Sequence, residues 1–98
     1  MSAAPVDTLV QVDLQACPRV AKLFKLQWEE VQQSWVLLYP EGMVKLNASA
    51  GDIMSRLDGN TSIFALTAAL ERQFETTGLL TDVLDFLAIA QRQGWVKT

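Results

Sequence analysis

The hydrophobic pattern of this chain changes its period once, at Asn47, and that change divides the chain into two kinds of structure. Before Asn47 the apolar residues alternate or form a short continuous run, as they do in β-strands. After Asn47 they recur at intervals of three and four residues, as they do in amphipathic helices. The chain has 98 residues, which is enough for one hydrophobic core. The sequence therefore predicts an α+β domain in which a small sheet precedes a group of helices.

Three strands are predicted before Asn47. The segment from Val20 to Trp28 alternates between apolar and polar residues, and Trp35 to Tyr39 is a continuous apolar run typical of a central strand. Pro40 followed by Gly42 predicts a tight turn, after which residues 43–46 form a short third strand. The expected arrangement is a three-stranded antiparallel sheet with the third strand at an edge.

Three helices are predicted after the sheet, and polar or glycine residues mark their ends. The predicted boundary residues are Asn47, Asp58-Gly59, Asn60-Thr61, Gly78, Thr81 as the cap of the third helix, and Gly94. The predicted buried stripes are Ala50, Ile53, Met54 and Leu57 in the first helix, Ile63, Leu66, Leu70 and Phe74 in the second, and Val83, Leu84, Leu87 and Ala90 in the third. Trp95 and Val96 would return as a terminal strand or wing. The whole predicts a winged-helix-like architecture.

The N-terminal region is predicted to differ from the rest of the chain. Residues 1–17 are expected to be a flexible tail, with a short added strand around Leu9 to Leu14 as the alternative, and residues 18–98 are expected to form the domain. Residues 1–13 contain no Lys or Arg, which argues against a secretory signal. The longest apolar runs have five residues, whereas a bilayer-spanning helix needs about 20. We therefore expect a cytoplasmic protein that does not cross a membrane.

The composition argues against an enzyme. The chain has no histidine and a single cysteine, Cys17, which excludes His-dependent triads, imidazole bases and zinc fingers. Cys17 lies in the predicted tail, away from any helix N-terminus that would activate a thiol. The neighbouring acids Glu29 and Glu30 lie in a predicted turn, and Asp82 and Asp85 lie at a predicted helix start, where acids are usually solvated or capping. No catalytic residue, metal or cofactor is expected.

The net charge of −3 argues against a protein that coats nucleic acid or an anionic membrane. A winged-helix-like outline nevertheless makes a DNA-binding regulator the alternative from another functional class. The third predicted helix, from Thr81 to Gln93, contains two acids and only Arg92 as a cation. Phosphate contacts require the opposite balance.

One stripe of the third helix adjoins its core stripe and consists of Asp82, Phe86, Ile89 and Gln93. The helix is either buried over a wide arc, or this stripe lines a groove that faces the third strand. An edge strand has free N–H and C=O groups to which a peptide can add as a further strand. The residues themselves leave both interpretations open.

The segment WEEVQQSWVLLYPEGMVKLN, from Trp28 to Asn47, followed by Ile53 and Asp58-Gly59, closely resembles the pyrroloquinoline quinone biosynthesis protein D family, PqqD. The resemblance covers about residues 18–97, including Lys25-Leu26 and the closing GWV. It implies a non-catalytic peptide chaperone that binds the precursor peptide PqqA and presents it to the radical SAM enzyme PqqE, to which the iron–sulfur chemistry belongs. A recognition domain of another ribosomal peptide-modification pathway is the alternative within this class.

The resemblance also implies where a peptide would bind, because related domains hold the leader as an added strand between the third strand and the third helix. The implied peptide-binding residues are Val44, Lys45 and Leu46 on the strand and Asp82, Phe86, Ile89 and Gln93 on the helix. Lys25 and Glu41 match further family positions and are candidates for the surface that faces PqqE. Monomer and homodimer both remain open.

Overall fold

The computed structural model describes residues 13–98, and within them the elements follow the predicted order of strands and helices. The strands are β1 (Arg19–Val20), β2 (Lys25–Glu29), β3 (Ser34–Tyr39), β4 (Gly42–Lys45) and β5 (Val96–Lys97), and the helices are α1 (Ala48–Met54), α2 (Ile63–Gln73) and α3 (Leu80–Arg92). β2, β3 and β4 form an antiparallel sheet with β3 in the centre, and β1 pairs with β5 in a separate antiparallel ribbon. The predicted α+β class, with a three-stranded antiparallel sheet and three helices, is confirmed.

The apolar run in β3 explains its central place in the sheet. Val36 and Leu37 point to opposite faces, and both are buried. Leu37 joins the main core, to which all three helices contribute. Pro40 and Glu41 form the two-residue connection between Tyr39 and Gly42, which are paired across β3 and β4. The predicted turn is therefore confirmed, and it makes β4 follow β3 directly.

The single strand predicted from Val20 to Trp28 is wrong, because the chain leaves the extended conformation between β1 and β2. The N–H of Phe24 donates to the carbonyl oxygen of Ala21 at 2.9 Å, which closes a turn. Val20 lies opposite Val96 of β5 instead of extending the sheet. The turn contains four residues, 21–24. Because four is an even number, the apolar residues before and after the turn keep the same alternation, and the sequence pattern gives no sign of the turn.

The helix starts confirm one predicted cap and correct another. The Oδ1 of Asn47 accepts a hydrogen bond from the N–H of Ala50 at 2.8 Å, as predicted for the cap of α1. Thr81 does not cap α3, because the helix starts one residue earlier, and its N-cap residue Leu79 makes no side-chain cap bond. The N–H of Leu79 donates instead to Oε2 of Glu71 on α2 at 3.0 Å. The start of α3 is thus held by another helix.

The second helix is shorter than its predicted apolar stripe. α2 ends at Gln73, and Phe74 forms its C-cap with a side chain that is 50% exposed. The prediction that Phe74 is buried with Leu66 and Leu70 is therefore wrong. Glu75 follows with a φ of 52°, so the chain turns away from the helical direction at this point.

Part of the predicted tail contacts the domain. The carbonyl oxygens of Leu14 and Ala16 accept hydrogen bonds of 2.9 Å from the N–H groups of Phe64 and Ile63, respectively. These donors lie in the first turn of α2, where backbone N–H groups have no partner inside the helix. Residues 1–12 of the predicted tail, including most of the alternating segment that begins at Leu9, lie outside the described residues.

Asp58 organises the linker between α1 and α2. Its Oδ1 accepts hydrogen bonds from the N–H groups of Asn60 and Thr61, each at 2.8 Å, and its Oδ2 accepts one from the Thr61 hydroxyl at 3.0 Å. The backbone N–H groups of Asn60 and Thr61 hold the pKa of Asp58 below its ordinary value, because they stabilise the carboxylate. Gly59, at φ 77°, donates its N–H to the carbonyl oxygen of Pro18 at 3.0 Å. The linker is therefore also tied to the segment that leads into β1.

The lowered pKa of Asp58 predicts a pH-dependent contribution to stability. A carboxyl group whose pKa is lower in the folded state stabilises the fold above its unfolded pKa and loses that effect as the pH falls through its folded pKa. The substitution Asp58→Asn keeps an acceptor oxygen and removes the charge. We expect the wild type to have the higher Tm at pH 7, and the difference to shrink from about pH 4 downward.

Thermal unfolding followed by circular dichroism between pH 2.5 and 7 measures this effect. Asp85→Asn is the matched control, because Asp85 is an exposed acid on α3 and has no hydrogen bond of this kind among the described residues. A Tm difference between wild type and Asp58→Asn that stays constant over the whole pH range would contradict the assignment.

Candidate functional site

The outer side of β4 is an open sheet edge within the described part of the chain, since β4 pairs with β3 alone. Leu37 lies opposite Val44, and the N–H of Leu46 donates to the carbonyl oxygen of Trp35 at 3.0 Å. Successive residues of an antiparallel strand direct their backbone groups to opposite sides. Val44 and Leu46 therefore bond toward β3, whereas Met43 and Lys45 direct their N–H and C=O groups to the open side.

A cavity of about 330 Å³ opens beside this edge. It is lined by the strand residues Val44, Lys45 and Leu46 with Asn47, by Ser49, Ala50 and Ile53 of α1, by Asp82, Phe86 and Ile89 of α3, and by Trp95. We call this cavity the edge groove. Leu46, Ala50 and Ile53 are buried members of the core, whereas Ile89 is 46% exposed at the rim. The groove thus offers an apolar floor directly beside unpaired backbone groups.

Six of the seven predicted peptide-site residues line the edge groove, and Gln93 does not. Gln93 forms the C-cap of α3 and donates its backbone N–H to the carbonyl oxygen of Ile89 at 3.0 Å. The inner face of α3 is buried through Val83, Leu87 and Ala90. The neighbouring stripe is open to the groove, so the geometry fits the groove interpretation better than burial of α3 over a wide arc. Peptide binding by these residues stays a prediction.

Trp95 reaches the groove because the chain reverses after α3. Gly94 adopts a φ of 80°, a conformation that glycine takes without steric penalty. The N–H of Trp95 then donates to the carbonyl oxygen of Ala90 at 2.9 Å, and β5 continues into its pairing with β1. The predicted terminal strand is confirmed at Val96–Lys97, and Trp95, the residue before it, lines the groove.

Three contributions to the site were missing from the sequence analysis. These are Asn47, the α1 residues Ser49, Ala50 and Ile53, and Trp95. The α1 contribution had a signal in the sequence, because Asn47 caps a helix immediately after the edge strand. So short a connection requires the first turn of α1 to lie at the end of that strand.

The charged residues of the edge groove are one lysine and one aspartate. Lys45 is exposed on the strand side, and Asp82 is exposed at the start of α3. A bound peptide would therefore meet a cation along the strand and an anion along the helix. The walls between them are apolar, since they consist mainly of Val44, Phe86 and Ile89.

The two residues predicted for an enzyme-facing surface lie outside the edge groove. Lys25 is exposed at the start of β2, opposite Leu38 of β3. Glu41 is exposed in the connection between β3 and β4. Both are exposed and neither lines the edge groove, and their role stays a prediction.

Within residues 13–98, no group of three or more Cys, Asp or Glu residues is placed to hold a metal ion. None of the helices within these residues has both the length and the hydropathy needed to span a membrane.

The close approach of α1 to β3 sets the position of the groove floor. Gly51 lies inside α1, and a Cβ atom added there would come within 2.7 Å of Cδ1 of Trp35. Trp35 in turn packs edge-on against Trp28, with 5.4 Å between the ring centroids. Any side chain at position 51 would therefore force α1 away from the sheet or displace the indole.

We expect Gly51→Ala to destabilise the fold by about 1–3 kcal/mol, because overpacking outweighs the helix propensity that alanine adds. Urea unfolding measures the difference. The matched control is the same substitution in a Trp35→Leu background, where the clash is relieved and the penalty should shrink. An equal penalty in both backgrounds would show that contact with Trp35 is not the cause.

Comparison with known proteins identifies relatives over most of the chain. Residues 34–96 match the sequence model of the family described as Coenzyme PQQ synthesis protein D (PqqD). The chain is 46% identical over 88 residues to the PqqA binding protein of Azotobacter vinelandii, which covers 89% of this chain and 96% of that protein. The PqqA binding protein of Methylococcus capsulatus is 37% identical over 97 residues, covering 99% and 95% of the two chains.

One solved structure has the same fold. It is the solution NMR structure of the PqqD truncation of Methylobacterium extorquens PqqCD, described as a functional and stand-alone recognition element for ribosomally synthesised and post-translationally modified peptides. The TM-score is 0.70, with 83% of this chain and 88% of that chain covered. Sequence identity is 23%, so the likeness speaks for the fold.

Proposed function

The chain belongs to the PqqD family, and on that basis we propose that it is a non-catalytic carrier that binds the precursor peptide PqqA and presents it to the radical SAM enzyme PqqE. Its relatives at 37% to 46% identity are named PqqA binding proteins. The structural observation that carries the proposal is the open edge of β4 beside an apolar groove. We place this activity in the cytoplasm, where ribosomes make such peptides.

We propose strand addition to β4 as the binding mode. Met43 and Lys45 each offer one N–H and one C=O on the open side, so they would form up to four backbone hydrogen bonds with two alternate residues of the peptide. The peptide residue between those two would lie opposite Val44. Side chains of opposed residues share a face of the sheet, so this residue would point into the edge groove.

The side chains of the groove would then select the peptide sequence. Phe86 and Ile89 would contact the apolar side chain that enters opposite Val44, and Lys45 would favour an acidic neighbour. Backbone hydrogen bonds do not depend on the sequence of the peptide. Pairing with β4 would therefore supply affinity, and the side chains of the edge groove would supply specificity. No group in this scheme needs to act as an acid, a base or a nucleophile.

Titration of isotope-labelled protein with the PqqA peptide tests the site. We expect NMR shifts at Met43 to Leu46, Phe86 and Ile89, and we expect Ile89→Asp to weaken binding at least about 10-fold, since it places a charge in the apolar wall. Phe64→Ala is the matched control, because Phe64 is exposed on α2 and does not line the groove. Shifts confined to other surfaces would overturn the site. Retention on duplex DNA with no peptide binding would favour a nucleic-acid function instead.

A scan of backbone N-methylation along the PqqA peptide tests strand addition separately. N-methylation of the residues opposite Met43 and Lys45 removes a donor and adds bulk at the edge, whereas methylation of the residue between them faces away from β4. We expect the affinity loss to alternate with a period of two. A loss that does not alternate would show that the peptide binds the groove without joining the sheet.

Charge reversal tests the proposed enzyme-facing surface. We expect Lys25→Glu and Glu41→Lys to weaken the binding of the PqqA-loaded protein to PqqE by several-fold, because rim charges steer association. The affinity for PqqA alone should stay unchanged, because neither residue lines the edge groove. Pull-down and calorimetry with purified PqqE give both numbers. Unchanged PqqE binding in both variants would place the docking surface elsewhere.

A further inference from the structure

A second cavity of about 330 Å³ adjoins the edge groove between α1, the end of α2 and the start of α3. We call it the helix cavity. Its inner surface includes Leu70 and Val83, which belong to the buried core. Ser49, Ile53 and Asp82 line both cavities, so the two lie side by side along α1 and the start of α3.

Phe74 is one of the residues that line the helix cavity. This ring is 50% exposed, although its spacing from Leu66 and Leu70 is that of a buried residue. A half-exposed aromatic ring beside an open apolar cavity is an incompletely buried surface. A side chain that entered the cavity would cover the ring and the exposed part of the floor together.

The two charged residues that line the helix cavity are both acidic, and the cation nearest to them in the chain, Arg56, donates to Gln73. Asp52 and Asp82 line it, and none of its lining residues is a cation. An occupant that combines an apolar side chain with a neighbouring positive charge would therefore be complementary in both shape and charge.

The position of the helix cavity relative to β4 indicates which part of a bound peptide would reach it. β4 ends at Lys45, and α1 begins at Ala48, which itself lines the helix cavity. The cavity therefore lies beyond the C-terminal end of β4. Each strand pair in the described part of the chain is antiparallel, and antiparallel pairing is the more stable type per residue. The peptide residues beyond that end are then those that precede the added strand.

We propose that the helix cavity anchors an apolar or aromatic side chain of the bound peptide, placed N-terminal to the added strand and next to a positive charge. That charge belongs to a Lys or Arg side chain or to the free amino terminus. The inference rests on the proposed function, because it assumes that the edge groove holds a peptide strand. It adds a second contact that strand addition does not require.

Calorimetry with the PqqA peptide and with a series shortened one residue at a time from its N-terminus tests the anchor. We expect wild-type affinity to fall about 5- to 10-fold in one step, when the anchoring residue is removed. Phe74→Ala should weaken the binding of the full-length peptide by a similar factor. In this variant the stepwise fall in affinity along the shortened series should disappear. Phe64→Ala is the matched control, because it removes an equally large, 61% exposed ring from the other end of α2.

Neutralising one carboxylate tests the charge. We expect Asp52→Asn to lower the affinity for the full-length peptide about 2- to 3-fold and to leave the affinity for the shortened peptides unchanged. Asp85→Asn is the control, since Asp85 lines neither cavity. Acetylation of the peptide N-terminus and substitution of its first Lys or Arg by Gln separate the two sources of the positive charge. The change that removes the relevant positive charge should lower the affinity as much as Asp52→Asn does.

The outcomes separate this inference from the proposed function. If Ile89→Asp lowers the affinity for the full-length peptide while Phe74→Ala has the affinity of the wild type, the anchor is overturned and the carrier function stands. If the wild type does not bind PqqA at all, both fail. Thermal unfolding of Phe74→Ala and Phe64→Ala, run beside the titrations, separates lost binding from lost folding.

Discussion

The corner between β4 and α1 is the constraint on which the rest of the site depends. Leu46 is buried and bonded to β3, and the next residue, Asn47, already caps α1. Only Leu46 and Asn47 separate the strand from the helix, so the first turn of α1 stands at the end of the open sheet edge. Both cavities are lined by this turn through Ser49. A longer connection would let α1 move and would separate the edge from its apolar floor.

Both ends of α3 are held by contacts with elements other than β4. Glu71 of α2 binds the N–H of Leu79 at its start. At its end, Trp95 turns back and β5 pairs with β1, whose segment is tied to Gly59 in the linker before α2. These contacts place α3 beside β4 with its apolar stripe facing the edge groove. A site formed in this way before binding has little ordering entropy left to lose.

Sequence patterns captured the local features of this fold and missed the non-local ones. The change of period at Asn47, the apolar run in β3 and the 3.6-residue spacing on α3 predicted the layers. The family resemblance implied seven site residues, and six of these are among the eleven that line the groove. The break before β2 was missed because an even-numbered turn preserves alternation. The capping of Leu79 by Glu71 was missed because it is a contact between two helices, which no local period records. The early end of α2 was missed because the apolar spacing continues to Phe74, where the helix has already ended.

Backbone pairing at a free edge raises a problem of register, and the two cavities offer a physical answer. A strand added to β4 keeps its hydrogen bonds and the facing of its side chains if it slips by two residues. The edge groove alone would tolerate such a slip wherever apolar residues alternate in the peptide. A second pocket at a fixed distance beyond the strand end does not, because a slip of two residues moves its occupant by about 7 Å. Two anchors joined by one strand would therefore allow only one register of the bound peptide. A carrier that presents one particular segment of a peptide to an enzyme would need such a fixed register.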